Sequence, residues 1–272
     1  MISPTSDRLF AGSIPEVYEN YLVPLIFEPY AADLASRVVL YQPSRVLEIA
    51  AGTGVVTRHL ARVMPKEASI VATDLNQPML DQAVAIQAAR PIEWLQADAM
   101  QLPFPDATFD VVVCQLGVMF FPDKVKAFSE AWRVLRWGGH FLFNVWDRIE
   151  ENEFADTVTR ALAALFPKNP PQFLARIPHG YADVAVVAAE LGRGGFGRPP
   201  TFTRLAARSR AASPAVPAIA YCQGTPLRSE LEARGPSSLD DATAAATTAI
   251  RSRFGEGAVD GKIRAYIVIV ER

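Results

Sequence analysis

Cysteine and histidine are scarce in this chain: two and three residues among 272. Cys114 and Cys222 stand far apart with no CxxC or metal-type spacing, which excludes a disulfide framework and a thiolate cluster. Cys114 falls in "DVVVC", where a thiol reads as a buried strand residue. His59, His140 and His179 have no ligand spacing either, so no structural metal is expected. Neither sign of charge dominates: the net charge is −2, which argues against general nucleic-acid or membrane-surface binding. The arginines of "RLAARSR" (204–210) read as a solvated face rather than an anion site. No apolar run reaches the roughly 18 residues a membrane span needs. The opening "MISPTSDRLF" lacks the basic start and apolar stretch of a signal peptide. A cytoplasmic protein without membrane insertion is the expectation.

What is present is a globular composition, half apolar and about a fifth charged, enough for one large domain with an elaborated lobe. "IPEVYENYLVPLIFEPYAADLASRVVLY" has helical apolar spacing and predicts a helix broken or re-entered around Pro24 and Pro29. From residue 44 short strands alternate with helices. "RVLEIA", "SIVATDL", "IEWLQAD", "FDVVVCQLG" and "HFLFNVW" predict strands. "GVVTRHLARVM", "QPMLDQAVAIQAA" and "DKVKAFSEAWRVL" predict helices, the last ended by Gly138 and Gly139. Such alternation implies parallel strands with crossover helices in an open α/β sheet.

After Trp146 the rhythm changes. "EENEFADTVTRALAALF", "ADVAVVAAELGRGGF" and "SLDDATAAATTAIRSRF" predict helices, and "PTFTRLAARS" and "KIRAYIVIV" predict strands. "PKNPPQFLARIPHGY" reads as an ordered loop or lid edge, and "AYCQGTPLRSE" as a loop and helix start in which Tyr221 packs. The expected organisation is a single domain over 1–272. Residues 1–43 form a helical cover, 44–147 a cofactor-binding core, 148–235 a substrate-side insertion with a sheet strand, and 236–272 the last helix and strand.

"VLEIAAGTG" (46–54) carries the first chemical signal. A strand covered on both faces should be uniformly apolar, yet Glu48 sits inside it. A buried carboxylate needs compensation, from a cation or from hydrogen bonds that brace the turn. Gly52 and Gly54 permit a tight turn before a helix whose first N–H groups face the loop. Asp74, twenty positions after Gly54, stands at the next strand end, where a carboxylate can accept both ribose hydroxyls of an adenosine. A dinucleotide loop wants GxGxxG; the third place is Thr57, neither Gly nor Ala. A pyrophosphate would also face Glu48. S-adenosylmethionine, with its sulfonium and α-ammonium beside an adenosine, gives Glu48 a partner.

The stretches "VLEIAAGTG", "ATDLNQPML", "QADAMQLPFPDATFDVVVCQLGVMFFPD" and "EAWRVLRWGGHFLF" together resemble the successive motifs of class I S-adenosylmethionine-dependent methyltransferases. Within these they are most similar to the small-molecule group of the ubiquinone/menaquinone C-methyltransferases. The resemblance covers about residues 44–146. It implies a Rossmann-like α/β fold: a seven-stranded sheet whose last strand, "KIRAYIVIV", is antiparallel, helices on both faces and an inserted helical cap. By position it implies that Glu48 serves the methionine end of the cofactor. Ala50, Gly52 and Gly54 line the path, Asp74 binds ribose, and Leu75, Asn76 and Met79 pack along the adenosine. Asp98 and Ala99 meet the adenine, and Gln115 with Leu116 lies beneath the sulfonium. Ala50 replaces the first of three loop glycines and fits if its φ is negative. Met79 serves as ligand contact or as core. Tyr18 and Tyr21 cover the cofactor or simply pack.

The implied activity is methyl transfer from S-adenosylmethionine to an O, C or N atom of a hydrophobic small molecule. The alternative is a protein that binds the same cofactor for other chemistry or for sensing. Phe120, Phe121, Trp146, Phe173, His179 and Tyr181 are the candidate acceptor pocket. In "RIPHGY", His179 and Tyr181 are the candidates to orient or deprotonate a hydroxyl; the competing reading has Tyr181 packing and His179 exposed. No nucleic-acid partner is expected, and the prolines of 167–178 leave a lid or a homodimer contact open.

Overall fold

The computed structural model describes residues 9–235 and 237–272; residues 1–8, most of the stretch read above for a leader, lie outside that range. The sheet has seven strands: β1 Arg45–Ile49, β2 Ser69–Asp74, β3 Glu93–Gln96, β4 Phe109–Gln115, β5 Leu135–Trp146, β6 Thr201–Ala211 and β7 Val259–Glu271, in the order β3-β2-β1-β4-β5-β7-β6. β1 pairs in parallel with β2 and β4, β2 with β3, and β4 with β5. β7 runs against β5. Gly138 N–H donates to the Arg272 carbonyl (3.2 Å) at one end, and Asp147 N–H to the Arg264 carbonyl (3.0 Å) at the other. The antiparallel last strand thus matches the expectation.

The contacts divide the chain into two compact units whose segments interleave. One holds Pro29–Val145, Tyr181–Leu205 and Ala265–Arg272. It contains β1–β4 and most of β5, with helices α2 Glu28–Val39, α3 Val55–Val63, α4 Gln77–Ile86, α5 Lys124–Val134 and α8 Val184–Arg193. Its strands form where both faces are covered: Val46, Leu47, Ile49, Val111, Val112, Val113 and Cys114 are all buried, as parallel strands between helices require. Phe128 on α5 packs on Phe141 and Phe143 of β5, at 6.0 and 5.6 Å between ring centroids. Truncating such a buried ring costs about 3–5 kcal/mol.

The other unit holds the described residues up to Glu28, Trp146–Gly180 and Ala206–Arg264. It is mainly helical: α1 Ile14–Val17, a π-helix over Tyr18–Phe27, α6 Glu153–Leu165, α7 Phe173–Arg176, α9 Ala215–Gln223, α10 Leu227–Glu232 and α11 Ser238–Phe254. α11 buries Ala242, Ala246 and Ile250 and packs on α6 and α9, its small side chains allowing close approach.

Three local expectations are corrected. The helix at Pro24 is not broken: residues 18–27 take π geometry with Pro24 inside, and the wider i→i+5 ring carries the chain past a residue with no N–H to donate. Gly138 and Gly139 do not end α5, which stops at Val134; both lie within β5. There Gly138 takes φ +76°, and the carbonyls of Arg136 and Asp110 leave no room for a Cβ on Gly139. Tyr221 lies in helix α9, buried, not in a loop.

Candidate functional site

At the carboxyl end of β1 the chain takes left-handed backbone three times in five residues: Ala50 at φ +53°, Gly52 at +57° and Gly54 at +81°. The condition set for Ala50 therefore fails. An L-residue there costs about 1–2 kcal/mol, and its methyl group finds room because Gly117 lacks one; a Cβ at Gly117 would stand 2.7 Å from that of Ala50. Gly54 is required twice over. Its φ is left-handed, and an added Cβ would meet Trp94 Cη2 at 2.7 Å and Ala83 Cβ at 3.3 Å. The turn delivers the chain into α3.

Glu48 is 1% exposed. One carboxylate oxygen, Oε2, accepts the Thr57 hydroxyl from the first turn of α3, and its carbonyl accepts the Thr73 hydroxyl at 3.1 Å. Burial pushes its pKa up to about 8; the Thr57 bond and the Arg58 charge offset this in part, and Asp74 adds to it. The Arg58 guanidinium donates to the Thr53 carbonyl at 2.6 Å and ties the loop down. Thr53 Oγ1 is buried without a hydrogen-bond partner among the described residues. An unpaired buried hydroxyl costs about 1–3 kcal/mol, which a ligand in the loop would relieve.

Asp74 ends β2 nearly buried. Its Oδ2 accepts from Gly52 N–H and its Oδ1 from Asn76 N–H, both at 2.8 Å. Burial raises its pKa, and these bonds work against the rise. Oδ1 also accepts from the Asn76 side-chain amide at 3.4 Å, so Oδ2 keeps a second lone pair for a hydroxyl. Leu75 is 41% exposed while Met79 is buried, so Leu75 offers an apolar face and Met79 packs in the core. Asp98 Oδ1 accepts from Met100 N–H at 2.8 Å beside buried Ala99. Gln115 ends β4 half-buried. Leu116 turns left-handed at φ +51°, with its N–H held by Asn144 Oδ1 at 2.8 Å. Phe120 closes a short 3₁₀ turn, half-buried.

All of these lie in the strand-rich unit, as does Tyr181. The Tyr181 hydroxyl donates to Glu190, Lys124 stands over its ring at 4.9 Å, and burial holds its proton more tightly than in an ordinary phenol. That proton is committed to Glu190. Tyr21, Trp146, Phe173 and His179 belong to the helical unit. Tyr21 is half-buried on the π-helix, and Phe173 is buried in α7. The Trp146 ring stands 5.9 Å from the His179 ring. His179 is buried, not exposed. Its Nδ1 lies 2.9 Å from the Asp147 carbonyl, which only accepts, so Nδ1 carries the hydrogen and Nε2 the lone pair. Asp147 is fixed in turn by Arg264, Nε to Oδ2 at 2.6 Å. Burial lowers the His179 pKa to about 4, which makes Nε2 a good acceptor and a poor store of a proton.

Residues 47–143 match the methyltransferase domain family. Over 110 residues the chain is 37% identical to the demethylmenaquinone methyltransferase of Deinococcus radiodurans, covering 40% of this chain and 45% of that protein. Over 114 residues it is 41% identical to the Thermus thermophilus protein of the same name, covering 41% and 50%. It is 40% identical over 102 residues to the ubiquinone/menaquinone biosynthesis C-methyltransferase UbiE of Teredinibacter turnerae, covering 36% and 41%. Over residues 47–143 the chain is similar to methyltransferase domains, and its sheet shares the fold of solved methyltransferase structures.

The matches span half or less of those curated relatives' length. The family match over residues 47–143 holds every candidate from Glu48 to Phe120, and Tyr21, Trp146, Phe173, His179 and Tyr181 fall outside it. Solved structures agree on the fold. The Haemonchus contortus phosphoethanolamine N-methyltransferase 2, solved with S-adenosylhomocysteine, aligns at TM-score 0.59 and 15% identity over all of this chain and 61% of its own. The [4+2]-cyclase SpnF aligns at 0.54 and 18% over 90% and 80%.

Two residues that hold candidate groups in place, Thr57 and Asn144, do not stand out in the sequence. Thr57 was noted only as a failed glycine position, though a hydroxyl one turn into the helix after a buried acid was the available signal. Asn144 was passed over in "HFLFNVW", where a lone amide in an apolar run signals the same thing as Glu48 does in its own strand.

Proposed function

We propose that the chain transfers a methyl group from S-adenosylmethionine to an O, C or N atom of a hydrophobic small molecule. The observation that carries this is the pair of buried carboxylates, Glu48 and Asp74, on either side of the left-handed turn. An acid raised to about pKa 8 by burial is stabilised as an anion by a cationic ligand, whereas a pyrophosphate would only hold it in its protonated form. The orphaned Thr53 hydroxyl and the spare lone pair of Asp74 Oδ2 suit the same donor-rich ligand. The residues present therefore fit the cofactor.

When bound, the cofactor supplies an activated methyl on a sulfonium. Glu48 would hold its cationic amino-acid end and Asp74 the ribose hydroxyls, with Gly52, Gly54 and Ala50 bringing backbone close. Leu75 and Asn76 would flank the adenosine with Met79 packed in the core, Asp98 and Ala99 would meet the adenine, and Gln115 with Leu116 the reacting end. The work of the protein is then to align an acceptor and exclude water. Phe120 would supply apolar surface for it, and Tyr181 would serve through its ring. The balanced charge supports a small-molecule acceptor rather than nucleic acid; among the described residues no helix is long and apolar enough to cross a membrane.

Calorimetry with S-adenosylhomocysteine and NADH, followed by detection of S-adenosylhomocysteine formed with a panel of hydrophobic acceptors, tests the reading. Tight binding of the first ligand alone, with turnover on an acceptor, is expected. Failure to bind it at millimolar concentration defeats the assignment. A second reading, cofactor binding for other chemistry, is favoured by the state of the two candidate bases: His179 is poorly basic and Tyr181 is engaged by Glu190. Binding without turnover on any acceptor would select it.

A further inference from the structure

Thr57 occupies the third place of the glycine pattern, and nothing in the methyltransferase reading so far gives it work. It is fully buried, and its hydroxyl is the side-chain hydrogen-bond donor to the Glu48 carboxylate among the described residues. Being β-branched on a helix, it has few rotamers open to it, so the first turn of α3 sets where the hydroxyl points. Water does not compete for the bond, since Glu48 is as deeply buried as its donor.

We propose that Thr57 is the positioning residue of the cofactor site: its hydroxyl fixes one oxygen of Glu48 so that the carboxyl group is already oriented toward the cationic amino-acid end of the ligand, beside which it ionises. This rests on the cofactor reading above. The ionisable and charged groups around Glu48 are Arg58 on α3, Asp74 on β2 and the Cys114 thiol on β4. Arg58 favours the anion and Asp74 opposes it. Because α3 begins directly after Gly54, the glycine turn that approaches the ligand also sets the geometry of the acid that recognises it. Without the hydroxyl, Glu48 keeps its place in β1 but loses a donor that favours its ionised form.

The test uses the full chain and two ligands: S-adenosylhomocysteine, which has the ammonium, and 5′-methylthioadenosine, which keeps the nucleoside but lacks the amino-acid end. T57V should weaken S-adenosylhomocysteine about tenfold or more, the size expected for a hydrogen bond to a charged group. It should change methylthioadenosine affinity by less than about twofold, and T57S should recover most of the loss, since it restores the same hydroxyl donor. The pH at which S-adenosylhomocysteine affinity is half gained should move up by about one unit in T57V, the same tenfold read as a pKa change. Equal weakening of both ligands would mean a merely distorted loop and would overturn the inference, as would an unmoved pH midpoint or no rescue by T57S. If the wild-type chain binds methylthioadenosine but not S-adenosylhomocysteine, the positioning role is overturned while nucleoside binding stands. If it binds neither, the cofactor reading falls and takes the inference with it.

Discussion

Glu48→Gln should make the unliganded protein lose less stability as pH rises above neutrality. The ordinary glutamate pKa is 4.5, and burial lifts that of Glu48 to about 8. Between those values the native state holds a proton that the unfolded chain has released, so raising the pH favours unfolding. The slope for one such group is about 1.4 kcal/mol per pH unit. His179 works in the opposite sense. Its pKa falls from 6.5 to about 4, so between those values the unfolded chain binds the extra proton and stability rises with pH. The two slopes oppose each other from about pH 4.5 to 6.5, and above 6.5 the contribution of Glu48 stands clear of His179. Asp74, also raised by burial, is common to both proteins and drops out of their difference. Urea unfolding at pH 6.5, 7, 7.5 and 8, without ligand, is the assay. From the lowest to the highest of these the wild type should lose up to about 2 kcal/mol relative to E48Q, a pH span of one and a half units at the slope above. Parallel stability curves would refute the claim that Glu48 is buried with its proton.

Gly54→Ala combines a left-handed φ with a Cβ 2.7 Å from Trp94. It should cost about 2–4 kcal/mol in urea unfolding, from the backbone penalty and from overpacking; a loss below about 1 kcal/mol contradicts the packing argument. Asp74→Asn leaves an amide with only one accepting oxygen for two backbone N–H groups and two ribose hydroxyls. Adenosine and S-adenosylhomocysteine should both weaken about ten- to a hundredfold by calorimetry, and unchanged affinities remove Asp74 from the site. For His179, ¹⁵N resonances should show hydrogen on Nδ1 and a neutral ring down to about pH 5, as its depressed pKa requires; titration near pH 6.5 would place the ring in water.

The core strands were legible because parallel pairing between helices forces runs such as "VVVC", and because Glu48 violated its run. An anomaly of that kind is visible without coordinates: the physics that forbids a lone buried charge also says that a partner exists. Which partner is another matter. Thr57 and Asn144 hold functional backbone or carboxylate groups in place, yet in sequence each is an ordinary polar residue, since its meaning lies in a hydrogen bond to Glu48 or Leu116. Gly138 shows the same limit for the fold. A double glycine after a helix reads as a helix end, but pairing with Arg272, more than a hundred residues later, draws the segment into β5. At Pro24 the local rule was sound about the missing N–H and silent about the π register that absorbs it. The conformation of Ala50 was open in sequence because the methyl that should exclude φ +53° is accommodated by Gly117, which comes from a different strand end. The acceptor side was less legible for the same reason carried further. His179 and Tyr181 were singled out as a pair from adjacency, but each takes its chemistry from a group elsewhere in the chain, the Asp147 carbonyl for one and the Glu190 carboxylate for the other. Those two partners turn one residue into a fixed acceptor and the other into a spent donor, so a shared catalytic role cannot be inferred from their spacing.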